Sequence, residues 1–390
     1  MFVRSILIMC SFTILCAGIY FGAIKAVTSP PQPLPSEAER QLLTLHDGPY
    51  AWFLPQQQLL VNWVCHGQVQ QLLLNLQQQH VIPARCQQAQ DIPLASHPIA
   101  AAPELDFSAS KVAIISDLHG QYALTIQLLQ AQGIIDRDLN WQFGSGHLVL
   151  AGDLMDRGEQ VTELLWLFYR LDQQAQAAGG RFHMLLGNHE TMVLYNDLRY
   201  IHTKYRQVET VLGKNYSELY AADTVLGQWL RSKPVLLKLN DMLIMHAGVH
   251  PDYLALGLSM AEVNELYRQS LGIARAELME QPVLAFLYGR LGPIWYRGYF
   301  REENAITLAQ LDDLLQRFAV RHIVVGHTSM DSVYQHYQGR VYSVDSDIKK
   351  GKSGSLLLWL DGQFYRGSLD GRRDTVPVYT PAHLSAQGSE

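Results

Sequence analysis

The chain has 390 residues, of which 48% are hydrophobic and 17% charged, and its formal net charge at pH 7 is −6. This length allows either one large domain with an appendage or two domains, and in both cases a sizeable core. The slightly acidic balance argues against the strongly basic surface that binds nucleic acids, so we expect no nucleic-acid partner.

The first predicted element is an apolar segment near the N-terminus. Residues 5–24, "SILIMCSFTILCAGIYFGAI", form an uninterrupted run of apolar or small residues. About 20 such residues suffice for a helix to cross the hydrocarbon layer of a membrane. We assign residues 1–27 to a signal anchor or a signal peptide, and the lack of a clear small-x-small cleavage site favours the uncleaved anchor. The protein would then be exported, either anchored in the inner membrane and facing the periplasm or secreted to the periplasm.

Two segments separate this run from the main domain. Residues 28–37, "TSPPQPLPSE", contain four prolines and predict an extended Pro-rich linker. Residues 38–105 are rich in Gln and Leu, and their mixed three- and four-residue apolar spacing predicts an accessory helical segment. This segment holds Cys65 and Cys86, the two cysteines outside the apolar run. They form either one disulfide, which suits an oxidising compartment, or two buried thiols.

From about residue 106 the pattern changes to short apolar runs that end in Asp, Asn, Gly or His. We assign residues 106–370 to the main domain and 371–390 to a C-terminal tail. Five runs predict buried strands, namely "KVAIISD", "HLVLAGD", "RFHMLLGN", "MLIMHAG" and "RHIVVGH". Helical patterns such as "ALTIQLLQAQG" and "VTELLWLFYRLDQQAQA" separate several of them, which predicts an α/β fold. Further strands in hairpins are predicted at "RVYSVD", "SGSLLLWLDG" and "GQFYRGS", so the sheet is mixed.

Side chains able to bind metal ions follow the five strands. Ligands of α/β sheets bind beyond the carboxyl ends of strands, so these side chains should converge in one crevice. They are oxygen and imidazole donors without a thiolate, a set that suits Mn, Fe or Zn. Two divalent ions that share one carboxylate would use all of them, and such a pair activates water and holds a phosphoryl group. The six candidates are Asp117, His119, Asp153, Asn188, His246 and His327.

The stretch "AGDLMDRGEQ" at 151–160 combines several of these functions. Asp153 follows a glycine at a strand end, where its carboxylate can bridge two ions. Asp156 is too far along the chain to share those ions and is free to orient a histidine. Arg157 offers a planar fork to phosphate oxygens, and Gly158 lets the chain approach the substrate.

The five blocks "SDLHG", "GDLMDRG", "GNHE", "HAG" and "GHT" occur in this order between about residues 110 and 350. Together they resemble the signature blocks of the calcineurin-like metallophosphoesterases, in the phosphoprotein phosphatase branch. "HAGVHP" followed by "WYRGYF" is similar to the bacterial Shewanella-like protein phosphatases. The resemblance implies a calcineurin-like sandwich of mixed β-sheets flanked by helices, with residues 106–370 as the catalytic domain. Ser116 and Ala247 depart from the family pattern, but both are small.

The resemblance also implies roles for individual residues. One metal ion would be held by Asp117, His119 and Asp153. The other would be held by Asp153, Asn188, His246 and His327. His189 would be the general acid, held by Asp156, while Arg157, Arg297 and Asn188 would bind the phosphate. A metal-bridging hydroxide would then attack in line, without a covalent phospho-enzyme.

The implied function is a metal-dependent phosphomonoesterase acting on phosphoproteins or phosphopeptides, with phosphotyrosine, phosphoserine or phosphothreonine as the substrate group. The alternative is a dinucleoside polyphosphate hydrolase, which uses the same blocks. A membrane-tethered binding protein with a decayed site is disfavoured by the complete donor set. A cysteine-dependent tyrosine phosphatase is excluded, because neither Cys65 nor Cys86 is followed by an Arg six residues later.

Several further residues have two possible roles. Asp345 and Asp347 either line the mouth of the site or belong to a charged turn. Tyr288, Trp295 and Tyr296 either stack on an aromatic substrate or pack in the core.

Overall fold

The computed structural model of the protein describes Glu37 and residues 42–88, 90–95, 99, 101 and 105–380. The strands in chain order are β1 (His46–Leu54), β2 (Gln58–Cys65), β3 (Gln68–Asn75), β4 (Val81–Ile82), β5 (Ile92–Pro93), β6 (Asp106–Phe107), β7 (Lys111–Ile115), β8 (His147–Leu150), β9 (Arg181–Met184), β10 (Leu236–Leu239), β11 (Met242–Met245), β12 (His322–Val325), β13 (Tyr334–His336), β14 (Val341–Ser343), β15 (Ser355–Leu360), β16 (Gln363–Ser368) and β17 (Arg373–Thr375). The helices are α1 (Tyr122–Ala131), α2 (Val161–Ala177), α3 (Asn188–Leu194), α4 (Thr203–Leu212), α5 (Val225–Arg231), α6 (Met260–Ser270), α7 (Arg275–Glu280), α8 (Pro282–Leu287) and α9 (Leu308–Phe318).

Two six-stranded mixed sheets form the main part of the molecule. One sheet has the order β17-β16-β15-β7-β8-β9, and its β7, β8 and β9 are parallel. The other has the order β13-β14-β12-β11-β10-β6, and its β11, β12 and β14 are parallel. All five strands predicted from the apolar runs are present, as are the helices predicted at α1 and α2.

The sheets pack face to face because their strands are apolar on both sides. On β7, Val112 and Ile114 lie in one buried cluster with residues of the second sheet, such as Val324 on β12. Their neighbours Ala113 and Ile115 point the other way, into the larger core that includes the helices. Since successive side chains of a strand alternate between faces, burial on both faces requires the continuous apolar runs seen in the sequence.

The part of the accessory segment (residues 38–105) that the structure describes is mainly β-structure, so the prediction of a helical segment was wrong. Strands β1, β2 and β3 form an antiparallel sheet, and β4 pairs with β5. His66 and Gly67 join β2 to β3 as a two-residue turn, and both have positive φ, as the favoured hairpin turn requires. Along β2, Leu59, Val61 and Trp63 share one face of the strand and are at most 1% exposed. The period of two and the turn outweigh the helical propensity of Gln and Leu.

This three-stranded sheet is fastened to the catalytic part by several polar contacts. The indole Nε1 of Trp166 on α2 donates to the carbonyl of Pro49 at 2.9 Å. The buried carboxylate of Asp47 lies 3.3 Å from the ammonium of Lys204 on α4. The sheet therefore covers α2, the helix that directly follows the 151–160 stretch.

A disulfide joins Cys65 at the end of β2 to Cys86, with their Cα atoms 5.5 Å apart. Of the two alternatives left open by the sequence, the structure has the disulfide. It ties the three-stranded sheet to the loop that leads to β5. The export of the protein stays a prediction.

The C-terminal tail predicted at 371–390 is partly incorporated in the fold, which corrects that boundary. Strand β17 pairs with β16, and the amide of Tyr379 donates to the carbonyl of Gln335 at 2.9 Å. Without β17, the edge of β16 would carry unpaired backbone groups, and the pairing with β17 satisfies them. Residues 381–390 lie outside the described part of the chain.

The predicted membrane segment and Pro-rich linker, residues 1–36, also lie outside the described residues. Among the helices that the structure describes, none has the length and apolar character needed to cross a bilayer.

Candidate metal and phosphate site

The six predicted metal donors meet at one end of the sandwich, beyond the carboxyl ends of five strands. Asp117 and His119 follow β7, and Asp153 follows β8 in the same sheet. The second sheet contributes His246, directly after β11, and His327 after β12, while Asn188 is the first residue of α3. All six are at most 4% exposed: Asp117, His119, Asp153, Asn188, His246 and His327.

The loops that carry these donors adopt a backbone conformation that side chains other than glycine rarely take. Positive φ angles at non-glycine residues cluster here, at Asp117, His119, Asp153, Asp156, Arg157 and His327. Such residues cost of order 1–3 kcal/mol each and are found where function requires an unusual geometry. Gly152 has a φ of +86°, and a Cβ there would lie 2.8 Å from the Nδ1 atom of His246. Glycine at this position lets the Asp153 loop pack against the histidine.

The first group of donors is formed by Asp117, His119 and Asp153. The Nε2 atom of His119 lies 3.9 Å from Oδ1 of Asp117 and 3.7 Å from Oδ2 of Asp153. The Nδ1 atom of His119 donates to the carbonyl of Met155 at 2.7 Å, so Nε2 is left as the lone-pair nitrogen that faces the carboxylates. Ser116 donates to Asp117 at 2.6 Å and thereby holds its second oxygen.

The second group is formed by Asp153, Asn188, His246 and His327. The Nε2 atom of His246 lies 3.1 Å from Oδ2 of Asp153, 3.0 Å from Oδ1 of Asn188 and 3.2 Å from Nδ1 of His327. The other nitrogen of His246 donates to the carbonyl of Ala151 at 2.8 Å. Asp153 thus belongs to both groups, as expected of a shared carboxylate.

This arrangement fits divalent cations. Carboxylate and imidazole atoms converge within 4.8 Å of one another in two sets that share Asp153: His119, Asp153 and His189, and Asp153, His246 and His327. Two histidines are oriented by hydrogen bonds from Nδ1 to backbone carbonyls, the usual way in which a protein directs Nε2 to a metal. The buried Nε2 atom of His327 has no hydrogen-bond partner among the described residues. These groups therefore imply bound divalent metal ions.

The electrostatics of the buried carboxylates also indicate a need for positive charge. Burial, together with the carboxylate of Asp345, raises the pKa of Asp117 to about 7. Burial acts to raise the pKa of Asp153 as well, but His246 and His189 hold it well below its usual range. Burial lowers the pKa of His246, yet Asp153 outweighs it and raises this pKa to about 9. Buried carboxylates are stable only when paired or bound to a metal, so a cation belongs among them.

His189 and Asp156, to which the family resemblance assigns acid–base roles, are in direct contact. The Nδ1 atom of His189 donates to Oδ2 of Asp156 at 2.6 Å, and its Nε2 atom lies 3.8 Å from Oδ2 of Asp153. Burial lowers the pKa of His189, but the two carboxylates outweigh it, so the net shift is upward. The two carboxylates therefore favour the protonated form of the imidazole, and Nε2 is the nitrogen that faces the donor groups.

The two predicted phosphate-binding arginines both lie at the site, but in different environments. Arg157 is exposed, and its backbone amide donates to the carbonyl of Tyr200 at 2.8 Å. Arg297 is half-buried, and its Nη1 atom donates to the carbonyl of His327 at 2.8 Å. The sequence argument for Arg297 rested on the "WYRGY" motif, and the structure brings this residue to the loop of a metal donor.

Glu190 is a site residue that was quoted in the "GNHE" block without a role. Its Oε2 atom accepts hydrogen bonds from the amides of Asp153 and Gly187, and its Oε1 atom accepts from those of Leu154 and Met155. One carboxylate thus holds the whole turn that presents Asp153. In the sequence, the feature that could have indicated this role is the position of Glu190 directly after Asn188 and His189.

Asp345 is fully buried, and it lies near enough to Asp117 for its carboxylate to help raise the pKa of that residue. It accepts a hydrogen bond from Ser329 at 2.7 Å and lies 3.5 Å from the ammonium of Lys349. Lys349 in turn contacts Ser329, and its carbonyl accepts from Gln121 at 3.1 Å. This connection links the His119 and His327 loops. The strand-end pattern that identified Asp117 and Asp153 also applies to Asp345, which follows β14.

Of the three aromatic residues that the sequence left as either substrate contacts or core, two are buried. Tyr288 and Tyr296 are 1% exposed and belong to the core. Trp295 is half-buried, and its ring lies 5.7 Å from that of His327. Tyr200, which the sequence did not single out, is 42% exposed and lies beside His189.

The chemistry that fits this site is the hydrolysis of phosphoesters, because divalent cations and arginine fork groups together neutralise a phosphoryl group. The fold and the site thus define the class of metallophosphoesterases. The sequence profile described as calcineurin-like phosphoesterase matches residues 110–330, more than half of the chain. The protein belongs to this family and is a hydrolase.

Individual relatives bear the names of two kinds of hydrolase. The structure of the cold-active protein-tyrosine phosphatase of a psychrophilic Shewanella species superposes with a TM-score of 0.81 and 42% sequence identity, over 85% of this chain and 100% of that chain. Shewanella-like protein phosphatase 2 of Arabidopsis thaliana is 34% identical over 94 residues, 24% of each protein. The symmetrical bis(5'-nucleosyl)-tetraphosphatase of Chromobacterium violaceum is 31% identical over 286 residues, 64% of this chain and 92% of that protein.

Proposed function

We propose that the protein is a phosphomonoesterase that hydrolyses phosphoproteins or phosphopeptides and uses two divalent metal ions of the Mn, Fe or Zn type. Phosphotyrosine is the preferred substrate group. The observation that carries this proposal is the 42% identity to a protein-tyrosine phosphatase over that protein's whole length. The likeness covers 85% of this chain and so extends well beyond the profile match at residues 110–330.

The donor geometry supports a specific division of the metal ligands. Asp117, His119 and Asp153 would hold one ion, and Asp153, Asn188, His246 and His327 the other. When bound, the ions supply Lewis-acid activation of a water molecule and neutralise charge on the phosphoryl group.

The remaining residues act on the substrate itself. Arg157 and Arg297 would bind the phosphoryl oxygens, assisted by the amide of Asn188. As the bond between phosphorus and the leaving oxygen breaks, Nε2 of His189 would donate its proton to that oxygen. Asp156 holds the opposite nitrogen at 2.6 Å and stabilises the protonated imidazole. The products are an alcohol or phenol and inorganic phosphate.

A second candidate is the hydrolysis of a dinucleoside polyphosphate. It is favoured by the match to the tetraphosphatase of Chromobacterium violaceum, which covers 92% of that protein. The same donors and arginines could act on a phosphoanhydride, so the two functions are distinguished by which substrate the protein hydrolyses.

The test is a substrate comparison on the purified full-length protein with Mn²⁺. Phosphate release is measured from a phosphotyrosine peptide, a phosphoserine peptide of otherwise identical sequence, and diadenosine tetraphosphate. We expect turnover of the peptides with the phosphotyrosine peptide preferred, and little or no turnover of the nucleotide.

A matched variant, Asp153→Asn, identifies background activity in the same assay, because it removes the carboxylate that both donor groups share. Activity confined to diadenosine tetraphosphate would replace the proposal by the second candidate. Activity that persists in Asp153→Asn would show that it comes from a contaminant.

A further inference from the structure

Tyr200 occupies a position at the site that none of the assigned roles explains. It lies in the loop between α3, which begins at Asn188, and α4. Its ring centroid is 5.3 Å from that of His189, at a tilt of 56°. Its side chain is nonetheless among the most exposed large apolar groups described, at 42%. An aromatic ring thus borders His189, the proposed proton donor, and remains open to solvent.

The loop that carries Tyr200 is well braced. The carbonyl of Tyr200 accepts a hydrogen bond from the amide of Arg157 at 2.8 Å. Arg199 binds both oxygens of Asp197 at 2.8 Å, and Arg206 donates to the carbonyl of Leu198 at 2.8 Å. These contacts position the backbone from which the ring projects.

Two cations flank the ring. The guanidinium carbons of Arg157 and Arg199 each lie 5.4 Å from its centroid, within cation–π range. A substrate whose phosphate binds Arg157 and whose leaving oxygen faces His189 must place its leaving group close to Tyr200. The exposed part of the ring is then the nearest apolar surface for that group.

We propose that Tyr200 is a specificity-determining residue against which the aromatic leaving group of a phosphotyrosine substrate packs. The inference rests on the proposed function and deepens it, since it names the residue that distinguishes aryl from alkyl phosphoesters. A phenyl ring gains an aromatic contact that the short side chain of phosphoserine does not reach. Contacts between aromatic rings favour such pairs beyond simple area burial.

A competing role makes a different prediction. If Tyr200 only positions Arg157, its loss impairs phosphate binding whichever leaving group the substrate carries. The two roles are separated by the ratio of kcat/KM for phosphotyrosine to kcat/KM for phosphoserine in peptides of identical sequence. The intrinsic reactivity difference between the two esters cancels when this ratio is compared between variants.

The experiment compares the full-length wild-type protein, loaded with Mn²⁺, with Tyr200→Phe, Tyr200→Leu and Tyr200→Met. We expect Tyr200→Phe to keep the phosphotyrosine-to-phosphoserine ratio, and the two variants without a ring to lower it roughly 2- to 10-fold, the size of one aromatic contact. The loss should appear mainly in KM. The affinity for phenylphosphonate relative to methylphosphonate, measured by competition, should fall by a similar factor.

Tyr365→Leu serves as the matched control, because Tyr365 lies on β16 between β15 and β17 and its hydroxyl donates to Gln363. Its substrate ratio should equal that of the wild type. Thermal unfolding of each variant identifies any that fails to fold. If one ring-free variant does not fold, the substrate ratio of the other tests the inference.

Equal losses on both peptides in the ring-free variants would overturn the inference in favour of a role in positioning Arg157. An unchanged ratio without any loss would overturn it as well. If the wild type cleaves neither peptide, the proposed function fails, and the contact is then judged from phenyl phosphate against ethyl phosphate in the same variants.

Discussion

His189 illustrates how neighbouring residues determine the chemistry of a single side chain. Burial alone would favour a neutral imidazole, but the carboxylates of Asp153 and Asp156 outweigh it and raise the pKa. The short hydrogen bond to Asp156 fixes the ring so that Nε2 faces the donor groups. A protonated nitrogen in that place is suited to donate a proton to a leaving oxygen.

We predict that His189→Ala lowers kcat roughly 100-fold or more on a phosphoserine peptide, the usual size of a general-acid contribution. The loss should be much smaller on p-nitrophenyl phosphate, whose leaving group departs without a proton. Bound metal, measured by elemental analysis, should be unchanged, because the donors of the two groups are retained.

His250→Ala is the control for the His189 variant. The Nδ1 atom of His250 accepts from the amide of Asp252 and caps a short helix, so activity should persist. If His189→Ala lost equal activity on both substrates, a role in binding would replace that of proton donor.

At the scale of elements, the start of α3 organises the turn after β8. Asn188 and His189 occupy the first turn of this helix. Glu190 accepts four backbone hydrogen bonds, three from the turn after β8 and one from Gly187. Glu190 is fully buried. The helix therefore contributes donors directly and also positions Asp153.

We predict that Glu190→Gln destabilises the protein by about 1–3 kcal/mol, because the amide group that replaces one oxygen cannot accept from the backbone donors it faces. Metal affinity should fall roughly 10- to 100-fold, as for other residues that orient metal ligands. Chemical denaturation measures the first effect and titration with Mn²⁺ the second.

The control for this substitution is Glu265→Gln on the surface of α6, where Glu265 pairs with Arg268 in solvent and contributes little. Should Glu190→Gln bind metal as tightly as the wild type, Glu190 would have no part in positioning Asp153.

At the scale of the whole molecule, the site depends on both sheets. Asp117, His119 and Asp153 belong to loops of one sheet, whereas His246 and His327 follow strands of the other. A metal ion bound by the second group therefore connects the two layers through Asp153. Binding to the folded state alone also stabilises that state.

We predict that removal of metal by EDTA abolishes phosphate release and lowers the thermal midpoint of unfolding, and that Mn²⁺ restores both. At a free ion concentration about 100 times Kd, one bound ion stabilises the fold by about 2.7 kcal/mol. Calorimetry with and without EDTA measures the shift, and Asp153→Asn serves as the control that should show little response. Full activity in protein shown to be metal-free would refute a metal-dependent reaction.

The local patterns of the sequence were sufficient for the strands and donors of the catalytic domain. Strands buried on both faces are continuous apolar runs, and the residues after them carry the chemistry, so Asp117, Asp153 and His246 could be located without the structure. The prediction for the accessory segment was wrong because its two-residue period was obscured by Leu and Gln, which also favour helices. Its hairpin turn at His66 and Gly67 was the stronger signal.

By itself, the sequence determined the α/β fold class and indicated which residues would gather as candidate metal donors and as a candidate acid–base pair, because each depends on a short motif whose meaning is local. Only the tertiary structure decided which residues surround those motifs. Glu190, Asp345 and Tyr200 acquire their roles from contacts between segments far apart in the chain, and no spacing within one segment records such contacts. The same holds for the disulfide between Cys65 and Cys86, whose formation depends on how β2 and the following loop are brought together.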